Sequence, residues 1–193
     1  QEAWKNLEPL PGPEYVSLLN EMVNNRFPTD TTSNRNLKTT LGILNRDPQS
    51  YPNTNWQDEI FRNAPISNTD LSFSGGNERT KFFVGTSYFT QQGTILGSNF
   101  DRYSARINLD NLISDKFKIG TSTSLSRSKS NRIINDNNIN GVLSTAVLLG
   151  SHIPAYNADG TYAKDPNSST ENPIAAAREP TNDNINDRIL TNI

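Results

Sequence analysis

The chain has 193 residues, a net charge of −2 and no cysteine, which excludes disulfides, thiol chemistry and thiolate zinc sites. Hydrophobic residues are only 33% of the chain and asparagine is the most frequent type. With a mean hydropathy of −0.67, that is a poor supply of core for a compact globule of this size.

Partial disorder, a solenoid, or a barrel with a wet interior would each account for the deficit. Lys and Arg are scattered, so no nucleic-acid footprint is visible and no nucleic-acid partner is expected. No apolar run approaches the roughly 18 residues of a transmembrane helix, which says nothing of barrel strands of about 9–11 residues. The opening Gln1-Glu2-Ala3-Trp4-Lys5 has neither the basic nor the apolar region of a signal peptide, and there is no initiator Met. The chain is therefore expected to be a piece of something larger.

From Gly12 to Phe27 the spacing predicts a helix, with Pro13 in the first turn and Tyr15, Leu18, Leu19, Met22 and Val23 on one face. Asp30 to Asn36 reads as loop, and Leu37 to Arg46 as a second short helix. Pro48 and Pro52 break the chain. Thr54 and Gln57 form a capping-box pattern ahead of a short helix in which Trp56 meets Ile60. Asp58 and Glu59 are adjacent and so diverge on a helix. They read as helix N-terminal charges, not as the paired carboxylates of a hydrolase.

Four strand-like runs follow between Asp70 and Lys129. In the third, Tyr103, Ala105, Ile107 and Leu109 alternate with Arg102, Ser104, Arg106, Asn108 and Asp110. In the fourth, Phe117, Ile119, Thr121, Thr123 and Leu125 alternate with Lys118, Gly120, Ser122, Ser124 and Ser126. Successive strand side chains point to opposite faces, so each run has one apolar and one polar face. Gly75-Gly76-Asn77-Glu78 and Ser114-Asp115 mark tight turns, while Thr90 to Phe100 is a longer link. Lys129 to Asn138 reads as polar loop.

Beyond it, Ile139, Val142, Leu143, Ala146 and Val147 predict a helix, with Gly150 in the place of a C′ glycine. Asn157-Ala158-Asp159-Gly160 is a turn that lacks the alternating acidic ligands of a calcium loop. His152, the single histidine, reads as a loop residue. Asn172-Pro173 opens a brief Ala-rich helix that Pro180 stops, and Asp187 to Ile193 begins a further strand. No solenoid repeat is visible.

Two-faced antiparallel strands suit a soluble sandwich, here a glycan-binding module, as well as a membrane barrel. Three details favour the barrel. Tyr88 and Tyr103 sit at the long-loop end of the apolar face and Phe117 at the tight-turn end, where aromatic girdles belong. Tight turns gather at one end and longer connections at the other. Four strands alone would leave two open edges, which a barrel removes.

The residues themselves are similar to a known family. Asn55-Trp56-Gln57-Asp58-Glu59-Ile60-Phe61-Arg62, NTDLSFSGG (68–76), TKFFVGTSYFTQQG (80–93), FDRYSARINLD (100–110), KIGTSTSLSRS (118–128), IPAYNADGTY (153–162) and NPIAAA (172–177) resemble, in this order, the SusC/RagA family of TonB-dependent outer-membrane transporters.

The resemblance implies an all-β fold with short helical loop segments, its antiparallel up-and-down strands forming part of a large transmembrane β-barrel of the 22-stranded class. It further implies a non-enzymatic importer of glycans or oligopeptides in the bacterial outer membrane. The implied partners are a SusD-like surface lipoprotein, outer-membrane lipid, and the TonB complex acting through an N-terminal plug region that is not recognisable here. Residues 1–67 become a helical and loop segment before the strands, an extracellular-side loop of the barrel, 68–129 four barrel strands, and 130–193 a long extracellular-type loop with short helices leading into the next strand.

On this reading Tyr103, Ala105, Ile107, Leu109, Phe117 and Ile119 face lipid. Arg102, Ser104, Arg106, Asn108 and Lys118 face the lumen, to meet the plug or to line a polar route for substrate, and the plug contact is favoured because an unpaired buried Arg is costly. Tyr156 and Tyr162 are expected to meet a ligand or a partner from a loop. No catalytic residue, cofactor or metal is expected.

Overall fold

The computed structural model describes residues 7–26, 47–133, 141–180 and 182–193. The expected helix at Leu37 to Arg46, and Ile139 at the start of the later one, lie outside the described residues. The chain divides into two compact units. One is Asn63–Arg132 with the residues after 181; the other comprises the described residues before 63 and between 133 and 180.

The first unit is a single antiparallel sheet of β1 (Ile66–Gly76), β2 (Thr80–Gln92), β3 (Asn99–Ser114), β4 (Phe117–Asn131) and β5 (Asp183–Asn192), in that order across the sheet. Neighbours in sequence are neighbours in space throughout. Between β1 and β2 the Asn77 side chain accepts from the amides of Arg79 (2.9 Å) and Thr80 (2.8 Å). Gly76 sits at φ +154°, where a Cβ would fall 2.2 Å from the Thr80 carbonyl oxygen, so only glycine turns the chain there.

β2 and β3 run further than their apolar residues suggested, and the link between them shrinks to the stretch from Gly93 to Ser98. β5 also begins earlier than Asp187, extending the ladder of β4 as far as the pair Asn131 and Asp183. Ladder hydrogen bonds carry strands into polar sequence where hydrophobic periodicity gives no signal.

The second unit holds α1 (Gly12–Arg26), a 3₁₀ turn (Pro48–Ser50), α2 (Trp56–Ile60), α3 (Val142–Leu148) and α4 (Pro173–Arg178). The buried apolar residues of the helices are all here, among them Val16, Val23, Trp56, Ile60, Val142, Ala146 and the run Ile174 to Ala177. The α2 cap differs from the expected capping box. Asn55 is the N-cap and accepts from the Gln57 amide. The Thr54 hydroxyl instead donates to the Ile153 carbonyl (2.7 Å), and the Gln57 side chain pairs with the backbone of Leu7. Long-range partners outcompete the local box.

Gly150 follows α3 as expected but is not left-handed, since positive φ occurs only at Gly76, Gly97 and Gly160 among the described glycines. Its lack of a Cβ makes room for His152, whose Nδ1 would lie 2.5 Å from one. At α4, Asn172 caps as read from the sequence, accepting from the Ile174 amide.

Candidate functional site

The register sorts the sheet into two faces. Tyr103, Ala105, Ile107 and Leu109 pair with Tyr88, Thr86, Val84 and Phe82 on β2, and with Arg127, Leu125, Thr123 and Thr121 on β4. Phe117 and Ile119 share the parity of Thr121, so all six residues read as apolar-face residues fall on one side. Arg102, Ser104, Arg106 and Asn108 oppose Ser128, Ser126, Ser124 and Ser122 on the other, and Lys118 shares the parity of those serines. The β-bulge between Leu112 and Ser114 leaves this sorting intact.

No residue of the five strands is buried. Phe73 is 60% exposed, Ile107 45% and Ile189 72%. A contiguous apolar face this open needs something to cover it, and in a water-soluble domain that would be a second sheet or a helix layer. The described residues form one sheet only.

The apolar face changes character toward the end where β2 passes to β3. There Tyr88 stacks on Tyr103 at 4.7 Å between ring centroids, and the Tyr88 hydroxyl donates to Asp101 (3.2 Å). Arg127 pairs with Asp187, and Lys129 with Asp183 at 2.8 Å. The sequence reading missed these pairs, although Arg127 and Lys129 continue the parity of Leu125 and so were within reach of it.

A trough of about 480 Å³ is lined by polar-face residues, among them Asp70, Ser104, Arg106 and Arg188, and by the apolar Leu71, Phe83, Ala105, Leu125 and Leu190. Arg106 donates from Nε to Asn108 (3.1 Å), which also accepts from Ser122 (2.8 Å). Lys118 reaches Asp110 at 3.4 Å, and the Arg102 guanidinium lies 5.5 Å from the centre of the Phe89 ring. Hydroxyls, amides and paired charges give this face its polar character.

In the second unit Tyr156 and Tyr162 form an antiparallel bridge, their ring centroids 5.6 Å apart. The turn between them is Asn157 to Thr161. Gly160 takes a left-handed φ of +83°, and Thr161 donates its amide (3.0 Å) and hydroxyl (2.6 Å) to Asp159. These bonds stabilise the carboxylate and hold the Asp159 pKa below its ordinary value. The base of the hairpin is clamped by Asn172, fully buried, whose Nδ2 donates to the carbonyls of Ala155 (2.9 Å) and Ala163 (3.0 Å). Sequence reading found the cap but had no signal for the clamp.

A sheet with one exposed apolar face, one polar face and strands of 10 to 16 residues defines a piece of membrane β-barrel wall. No family model matches the chain. It is 36% identical over 137 residues to TonB-dependent receptor P3 of Formosa agariphila, which aligns to 68% of this chain and 14% of that protein. It is 33% identical over 147 residues to TonB-dependent receptor P26 of the same organism, covering 75% and 14%. TonB-dependent receptor SusC of Bacteroides thetaiotaomicron is 27% identical over 170 residues, covering 86% and 15%.

Among solved structures, the RagAB peptide importer in its closed-closed and open-open states matches with TM-scores of 0.55 and 0.56 at 22% identity. These matches cover 80% and 82% of this chain, and 19% and 20% of those chains. The chain belongs to the SusC/RagA family of TonB-dependent receptors, and its sheet is a segment of their barrel fold. It spans about one-seventh of the length of the curated relatives it matches.

Proposed function

We propose that the protein to which this chain belongs imports glycans or oligopeptides across the bacterial outer membrane, driven by TonB and assisted by a SusD-like surface lipoprotein. The observation that carries the reading is the uncovered apolar face of a sheet whose relatives are TonB-dependent receptors. β3 and β4, with 16 and 15 residues, are longer than the roughly 9–11 residues that a tilted barrel strand needs to cross the hydrocarbon core.

In this reading Tyr103, Ala105, Ile107, Leu109, Phe117 and Ile119 contact lipid, with Tyr88 and Tyr103 at the outer interface. Arg102, Ser104, Arg106, Asn108 and Lys118 face a lumen filled by the plug, and the Arg106–Asn108 hydrogen bond and the Lys118–Asp110 ion pair suit a polar protein neighbour. The connections from β2 to β3 and from β4 to β5 lie at the cell exterior. Tyr156 and Tyr162 are then a contact for substrate or lipoprotein.

The test is uptake. Cells lacking the gene are expected to lose growth on one class of glycan or peptide as sole nutrient, and the lipoprotein is expected to co-purify with the full-length protein. Undiminished growth on every glycan and peptide tried, with no co-purifying lipoprotein, would contradict the proposal.

A further inference from the structure

The single histidine does more than occupy a loop. His152 stacks on Tyr15 of α1 at 4.8 Å between ring centroids with the planes 15° apart, and Tyr51 meets it edge-on at 6.1 Å. Three segments remote in sequence thus converge on one imidazole. The backbone around it is stitched to the same region. Thr54 donates its amide to the Ser151 carbonyl (2.9 Å) and the Trp56 indole donates to the Gly150 carbonyl (3.2 Å). The absent Cβ of Gly150 leaves the space that Nδ1 and the Tyr15 ring fill. Nδ1 itself is buried with no hydrogen-bond partner among the described residues.

We propose that His152 is a proton-sensitive latch, holding α1 against the turn at 150–153 while neutral and releasing it on acidification. A neutral imidazole can leave Nδ1 bare against apolar surroundings at modest cost. A protonated one places an N–H and a share of positive charge at this buried atom with no acceptor among the described residues, which is expensive although the ring as a whole is half-buried.

The titratable groups facing the ring are the phenols of Tyr15 from α1 and Tyr51 after the 3₁₀ turn, and the carboxylate of Asp165 from the loop beyond the hairpin. Asp165 favours the charged ring, and the tyrosine faces attract a cation weakly. Burial opposes them and prevails, so the His152 pKa lies below its ordinary value. The sign follows: a depressed histidine pKa means the unfolded or released ring binds its proton first. The latch's contribution is complete above about pH 6.5 and declines as the pH falls below that toward the folded value.

Hydrogen exchange of the full-length protein in detergent, compared at about pH 7.5 and about pH 5 and corrected for intrinsic rates, reads the latch directly. Peptides from α1 and from 150–156 are expected to lose protection at the lower pH while those of β3 do not. In His152→Phe, which keeps an aromatic ring and removes the proton site, protection is expected to be independent of pH. Gly150→Ala, which drives a methyl into Nδ1, is expected to open the same peptides at both pH values. Equal protection at both pH values in the unmodified protein would overturn the proposal, as would the same acid loss in His152→Phe. Should His152→Phe not fold, His152→Gln takes its place, and the unmodified protein still decides whether protection changes at all.

Discussion

Arg127 on β4 and Asp187 on β5 stand directly opposite one another, 60 residues apart in sequence, and join through Nε–Oδ1 at 2.6 Å and Nη2–Oδ2 at 2.7 Å. A two-pronged contact of this kind is selective for geometry as well as charge. Two residues further along β4, Lys129 reaches diagonally past its register partner Ile185 to Asp183. Together the two pairs fix the register of β5 where its own sequence, DNINDRILTN, offers few apolar residues to do so.

Reversing one charge should therefore misplace β5. Arg127→Asp is expected to raise protease sensitivity between residues 183 and 192 in the full-length protein. The exchanged pair Arg127→Asp with Asp187→Arg is expected to restore resistance. Both residues are exposed, so simple truncation to Ala should be milder than reversal.

Asn172 fills three roles with one side chain: it caps α4 and holds both flanks of the Tyr156–Tyr162 hairpin. Asn172→Ala leaves the buried Ala163 carbonyl without this donor, weakens the hold on the part-buried Ala155 carbonyl and removes a cap, at an expected cost of about 1–3 kcal/mol. Limited proteolysis near residues 155–163 reads the loss. Asn55→Ala, which removes a cap and an exposed hydrogen bond to Asp58 (2.7 Å), is expected to cost about 1 kcal/mol.

Gly12 tests how closely α1 approaches the chain beside it. A Cβ there would lie 1.9 Å from the Pro52 carbonyl oxygen and 3.1 Å from that of Ser151, and both are backbone atoms with little freedom to yield. Gly12→Ala should destabilise the contact by about 1–3 kcal/mol, read as faster hydrogen exchange in α1. Gly12 is thus required by close approach and not by its φ.

The Asp159 hairpin should respond to acid. A carboxyl pKa held below 3.8 in the folded hairpin stabilises it fully above the unfolded value, and that contribution is lost as pH falls through the lower folded value. Asp159→Asn is expected to remove the acid-dependent part of the loosening, followed by exchange of the Thr161 amide.

The sheet was legible because its apolar residues alternate. Tyr103 to Leu109 and Phe117 to Leu125 announce two faces, and the register places all of them as the alternation requires. The ends of the strands were not legible, because Gln91, Gln92, Asn99, Ser130 and Asn131 are held by ladder hydrogen bonds that leave no hydrophobic trace. The helical unit was legible at the Asn172 cap, but not at α2, where Asn55 caps in place of Thr54, and not in its long-range ties. Nothing near Thr54 in sequence signals that its hydroxyl bonds to Ile153, and nothing near His152 signals Tyr15. Such partners depend on the fold bringing remote segments together, which periodicity cannot report.

The central claim is that the Tyr103, Ile107 and Leu109 face meets lipid and the Arg102, Arg106 and Asn108 face does not. Two adjacent substitutions in the full-length protein test it, with barrel assembly followed by the heat-dependent shift in electrophoretic mobility. Ile107→Arg places a charge on the lipid side near mid-band, expected to cost about 2–4 kcal/mol and to reduce the assembled fraction sharply. Asn108→Arg, one residue on and facing the other way, is expected to assemble close to normally. Equal tolerance at the two positions, or the reverse order, would contradict the assignment.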